Sequence, residues 1–310
     1  MDSVKIAAAQ ISPVFLDKEK TINKACETIK EAAENGAKLV VFPEAFIPGY
    51  PDWTWLVPNS KGAELNNLYE ILLKNSVSIP KDTKKLCAAA KEAGIYVVVS
   101  VNEKNSEASN SSLYNTIIYI DDKGNILGKH RKLIPTGGER LIWAQGDGST
   151  LDTYTTPFGK LGGLICWENF MPLARTDLYA QGVNILAAPT WDKSSNWKIS
   201  MQHIAREGGM FIISCCMVLK IKDIPDKFEF KKLYPKDREW VTTGNSVVVS
   251  PDGKIIAGPL EGEGILYADL DLKLIAKAKR MFDVAGHYGR PDVFKFKVDR
   301  TEHKHSSRNG

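Results

Sequence analysis

Short apolar runs rich in valine and isoleucine alternate along the chain with stretches whose apolar residues recur every three or four positions. That is the pattern of strands alternating with helices in an α/β protein. Strands are predicted over 4–10, 38–43, 95–101, 114–121 and 125–132, and a second set over 160–166, 184–189, 210–216, 245–251 and 254–259. Between the first strands, 18–35 places Ile22, Ala25, Cys26, Ile29, Ala32 and Ala33 at helical spacing and stops at Gly36, so an amphipathic helix with a glycine stop is predicted there. Residues 62–76 put Leu65, Leu68, Tyr69 and Leu72 on one helical face, and 82–93 end before Gly94. In the second half, 171–181 end before Gly182 and 196–207 before Gly208 and Gly209.

The two strand sets run in the same order, and each contains a polar Asp/Gly turn between strands, at 121–127 and 250–256. This pseudo-duplication predicts one α/β domain over 1–299. Each half would supply one sheet, the two packing face to face with helices outside, a four-layer α-β-β-α sandwich. A two-domain organisation is the alternative, although no polar linker parts the halves. Residues 300–310 are polar and free of aromatics, so they are predicted to be a flexible tail, with His303 and His305 solvated rather than bound to metal.

Composition adds exclusions. With 43% hydrophobic and 25% charged residues the chain can bury a substantial core. Its net charge of +4 is spread along the length and implies no nucleic-acid partner. The N-terminus lacks the basic and apolar regions of a signal peptide, and the longest apolar run, 210–219, is too short to span a bilayer. No membrane partner and a cytoplasmic location are therefore expected. Five cysteines without C-x-x-C spacing (Cys26, Cys87, Cys166, Cys215 and Cys216) argue against a disulfide framework or a zinc site and for a reducing compartment.

Three segments end an apolar strand in a reactive side chain beside glycine, proline or tryptophan, where α/β folds place their active sites: 40–51, 128–149 and 162–172. Cys166 closes the predicted strand 160–166 just before a helix starting near Pro172, and a thiol at a helix N-terminus gains thiolate character. It is a candidate nucleophile; a buried core cysteine is the alternative. Glu44 follows the apolar run 39–43 and is a candidate general base, its carboxyl raised by partial burial, or else a solvated loop residue. In the stretch 129–132, strand period puts His130 and Lys132 on one face and Lys129 and Arg131 on the other. An inward Lys132 would stabilise negative charge developing on substrate; a solvated charge run is the alternative.

Glu44, Lys132 and Cys166, in this order at strand ends, resemble the nitrilase superfamily, and the likeness extends from residue 4 to about 296. FPEAFIPGYP, KHRKLIPTGGERLIWAQGDGS, CWENFMPLAR and AGHYGRPDVF look like the nitrilase branch in particular; amidases and carbamoylases more often follow the cysteine with an aromatic and Asp, where Trp167 and Glu168 stand here. The resemblance implies the carbon-nitrogen hydrolase fold. It also implies a second glutamate seven residues after the lysine, Glu139 here, orienting substrate and hydrogen-bonding to Lys132. The implied reaction is hydrolysis of a small-molecule nitrile to carboxylic acid and ammonia through a thioimidate and then a thioester on Cys166. It implies self-association as well, as dimers that extend into spirals.

That chemistry requires no cofactor, and neither a Walker sequence nor G-x-G-x-x-G occurs. Tyr50, Trp53, Trp55, Trp143, Trp167 and Trp191 lie near the reactive segments and are candidates to line an apolar pocket, with burial in the core as the alternative for each. Competing activities are an aliphatic amidase or carbamoylase and a cyanide-converting hydratase or dihydratase. A non-catalytic assembly or thiol-redox protein using Cys215 and Cys216 is disfavoured, because adjacent side chains in a strand point to opposite faces.

Overall fold

The structure is a computed structural model that describes residues 2–304. In chain order the strands of the first half are Ser3–Gln10 (β1), Leu39–Val41 (β2), Tyr96–Lys104 (β3), Leu113–Ile120 (β4) and Ile126–Arg131 (β5). The remaining strands are Tyr154–Thr156 (β6), Gly159–Gly163 (β7), Ile185–Thr190 (β8), Phe211–Cys216 (β9), Val218–Lys220 (β10), Trp240–Val249 (β11), Ile255–Glu261 (β12) and Gly264–Asp271 (β13). Helices are Lys18–Glu34 (α1), Gly62–Asn75 (α2), Lys84–Ala93 (α3), Pro172–Ala180 (α4), Ser195–Gly208 (α5) and Lys273–Met281 (α6).

The expected alternation of layers follows from the two-residue period of the strands. Val4, Ile6 and Ala8 of β1, with Leu39, Val41, Val98 and Ile117, turn inward against Leu161, Ile185, Ala187, Phe211, Ile213 and Val248 of the second sheet. The opposite faces bury Ala7, Ala9, Val40, Val97 and Val99 against Ile22, Ala25, Ile29 and Ala32 of α1 and Leu86 and Ala90 of α3. On the far side, Leu186, Ala188, Ile212 and Val247 pack on Leu178 of α4 and on Trp197, Met201 and Ile204 of α5. The order is therefore helix, sheet, sheet, helix, with both faces of each sheet apolar.

Sheet order corrects one expectation. The first sheet runs β13-β1-β2-β3-β4-β5 and the second β10-β11-β9-β8-β7-β6, with β12 paired to β11. The halves thus do not each keep to one sheet: β13 returns from the end of the second half to pair antiparallel with β1, from Ser3 opposite Asp271 to Gln10 opposite Gly264. Internal symmetry survives elsewhere, since β1, β2 and β3 are parallel neighbours, as are β7, β8 and β9.

Strand β7 also stops at Gly163, three residues short of Cys166. Part of the tail is tied down, for Arg300 pairs with Asp152 and Asp177 and the backbone N–H of His303 donates to Asp147. His305 lies outside the described residues. No helix among the described residues is long and apolar enough to cross a membrane.

Candidate active site

Three strand ends converge where the sheets meet. Glu44 lies just beyond β2, Lys132 immediately after β5, and Cys166 three residues after the end of β7, with Leu164 and Ile165 between. All three are buried, Glu44 at 0%, Lys132 at 1% and Cys166 at 4% exposure, so charges here interact without the screening of bulk water. Glu139, on a short 3-10 turn over Gly137–Leu141, is buried beside them.

Lys132 Nζ donates to Glu44 Oε1 at 2.8 Å and to Glu139 Oε2 at 2.7 Å. Both oxygens of each carboxylate are engaged. Glu44 accepts from Asn115 Nδ2 at 2.9 Å and from the Trp191 backbone N–H at 2.8 Å; Glu139 accepts from the Thr136 N–H at 2.7 Å and from the Tyr50 hydroxyl at 2.8 Å. Trp55 Nε1 in turn donates to that hydroxyl at 3.1 Å. Asn115 serves twice, because its backbone carbonyl also accepts the Lys132 backbone N–H at 2.8 Å.

Burial pushes the Glu44 carboxyl up, the Glu139 charge adds to this, and Lys132 pulls the other way. Burial alone would lower Lys132, but the charges on Glu44, Cys166 and Glu139 outweigh it and hold the ammonium well above the ordinary lysine value. Burial, with the Glu44 charge next, pushes the Cys166 thiol well up, against the Lys132 charge and a hydrogen bond from Thr190 Oγ1 at 3.2 Å. The expected gain in thiolate character is therefore corrected. Cys166 opens the 3-10 turn Cys166–Phe170, which is too short for an appreciable dipole, and α4 begins only at Pro172. Its own φ is +51°, the left-handed region that non-glycine residues enter at a cost.

Sulfur and carboxylate meet a cavity of about 430 Å³ lined by Tyr50, Trp55, Thr136, Glu139, Cys166, Trp167, Trp191, Asp192 and Ser194. Tyr50 and Trp191 stack in its wall, 4.3 Å apart and 8° from parallel. Two of the aromatic candidates are elsewhere. Trp53 is in the core between Phe15 and Phe230, and Trp143 sits behind Tyr50, its Nε1 donating to Asn102 Oδ1 at 2.8 Å. Trp55 is half exposed at the rim and covers Gly137, where a β-carbon would come within 2.9 Å of the indole. The cavity is mostly apolar with a few polar groups in its lining, as small-molecule sites are.

Thr190 and Asn115 carried no functional reading in the sequence. Each is a polar residue inside or closing an apolar run, NILAAPT and LYNTIIYI, and that break in pattern was the available signal.

The carbon-nitrogen hydrolase family model matches residues 5–280. An aliphatic nitrilase of Sinorhizobium fredii (strain HH103) is 42% identical over 96% of this chain and 96% of its own. Nitrilase 2 of Arabidopsis thaliana is 44% identical over 96% of this chain and 88% of its own, and a bifunctional nitrilase/nitrile hydratase of Nicotiana tabacum 44% identical over 94% and 84%. Among solved structures, Saccharomyces cerevisiae Nit3, a member of branch 10 of the nitrilase superfamily, superposes with a TM-score of 0.73 at 23% identity, covering 93% of this chain and 97% of that one.

Proposed function

The chain belongs to the carbon-nitrogen hydrolase family, and from that premise we propose that it is a nitrilase, a hydrolase of carbon–nitrogen bonds other than peptide bonds, with Cys166 as nucleophile, Glu44 as general base, Lys132 as charge stabiliser and Glu139 as orienting group. The observation that carries these roles is the ammonium of Lys132 held between two buried carboxylates, with the Cys166 thiol in the wall of the same cavity.

Glu44 takes the thiol proton as sulfur bonds to the nitrile carbon, and one C–N π pair moves to nitrogen, which receives that proton to give a thioimidate. A carboxyl raised by burial suits both the taking and the return of the proton. Water, deprotonated by Glu44, adds next; Lys132 steadies the negative charge that develops. Loss of ammonia from the tetrahedral species leaves a thioester, and a second water releases the carboxylic acid. If the tetrahedral species expels the thiol instead, the product is the amide.

Five unpaired cysteines support a reducing, cytoplasmic setting. The exposed apolar side chains Leu173 of α4 and Ile199 of α5, together with exposed Trp167 and Phe170, support self-association of copies of this chain. The reading is tested by incubating the protein with aliphatic, aromatic and arylacetonitriles while acid, amide and ammonia are all quantified. Ammonia and acid are expected in equal amounts, and Cys166→Ala is expected to abolish both; turnover of amides alone, or intact nitrile turnover by Cys166→Ala, would overturn it.

A further inference from the structure

Glu168 is fully buried and its carboxylate is shared three ways. Oε1 accepts from the Leu133 N–H at 2.6 Å, Oε2 accepts from the Ile165 N–H at 2.7 Å, and His130 Nε2 stands 3.1 Å from each oxygen. Leu133 directly follows Lys132, and Ile165 directly precedes Cys166. His130 is itself 1% exposed on β5. Neither His130 nor Glu168 lines the reactive cavity.

We propose that the buried His130–Glu168 pair is a positioning device for the reaction: one carboxylate clamps the neighbour of Lys132 to the neighbour of Cys166, and so fixes the separation of ammonium and sulfur. The inference rests on the roles given above to those two residues. Its physical basis is that Lys132 leaves β5 of the first sheet and Cys166 follows β7 of the second. Between the sheets the packing is apolar, and apolar contact is not directional. Hydrogen bonds to a charged oxygen are short and directional, so a carboxylate bridging the two exits sets their distance where side-chain packing does not. A misplacement of about 1 Å at reacting groups costs on the order of a hundredfold in rate.

Charge state supports the geometry. Burial works to lower His130, yet the charge and hydrogen bond of Glu168 raise it, with the Thr150 backbone and Asp152 adding to them. Burial works to raise Glu168, yet His130 and the N–H groups of Leu133 and Ile165 bring it down. Tyr119, which also feels Glu168, is pushed up by burial and stays neutral. The pair is thus imidazolium with carboxylate between the lowered Glu168 value and the raised His130 value. As pH climbs through the latter, the imidazolium is lost and an uncompensated carboxylate remains.

The test uses the full chain with Glu168→Gln and His130→Asn. Readouts are kcat and KM on a hydrolysed nitrile, the pH dependence of Cys166 alkylation by iodoacetamide, followed on its own peptide, and the urea midpoint. Both folded variants are expected to lose about ten- to hundredfold in kcat with KM nearly unchanged. In His130→Asn, which leaves the Glu168 carboxylate able to keep both backbone bonds, the alkaline change in alkylation expected of the wild type near the His130 transition should vanish. Unchanged kcat together with an unchanged alkaline profile in a folded variant overturns the proposal, as does failure of both variants to fold, which would make the pair a folding element. Should the wild type hydrolyse no nitrile, the nitrilase reading falls by itself, and the alkylation profiles still decide on the clamp.

Discussion

Cys166 has two features that oppose a resting thiolate: burial and a neighbouring carboxylate, both of which push its thiol well up. In the mechanism proposed above, its reactivity would then come from handing the proton to Glu44 as the bond to carbon forms, not from a stored anion. Thr190 Oγ1 is the uncharged donor on the sulfur, and it favours the thiolate. Thr190→Val keeps the shape and removes the donor, so the thiol should rise further. Alkylation of Cys166 at fixed pH is expected to slow by about fivefold, the equivalent of one hydrogen bond of roughly 1 kcal/mol, and its pH profile to move to higher pH; an unmoved profile would refute the assignment. At this scale Glu44, Lys132 and Cys166 were legible because a reactive group ending an apolar strand is conspicuous. Trp53 was not separable from Trp191, since depth in the fold leaves no mark on a single tryptophan.

At the scale of elements, the boundary that matters is the end of β7. Apolar residues continue through Leu164 and Ile165, so the sequence reads as strand up to the cysteine, while the backbone has already turned. Gly163 sits at that point in the sheet-to-sheet layer, where a β-carbon would come within 2.7 Å of Tyr119 Oη and 3.0 Å of the Ala187 carbonyl. Gly163→Ala should then cost about 1–3 kcal/mol through overpacking, read as a lower urea midpoint, and should reduce turnover because the displaced residues lead straight into Ile165 and Cys166. A variant as stable as the wild type would show that the layer yields. Helices α1 to α5 were legible from their periods and glycine stops. Strands β6, β10 and β13 and helix α6 were not: β6 and β10 are only three residues each, and β13 and α6 lie beyond the last strand of the repeated set.

Across the whole molecule, the repeated strand order made the four-layer arrangement legible, but repetition could not show that β13 rejoins the first sheet. Pairing across some 260 positions depends on which edge is left open, and that is a property of the assembled fold. The strand matters to stability, for without it β1, apolar on both faces, becomes an unprotected edge. A chain ending at residue 263 is expected to aggregate on expression, judged by its absence from the monomer-sized or larger discrete peaks in gel filtration of the clarified lysate; a discrete folded species with native circular dichroism would contradict this.

The same pairing has a mechanical side. Ser3 faces Asp271 at one end of an antiparallel ladder, so a force drawing these two residues apart loads one rung at a time instead of all of them in shear. Stretched between those points, the molecule would peel open from its first strand like a zip, at low force, while the strands that carry the reactive groups were still unloaded.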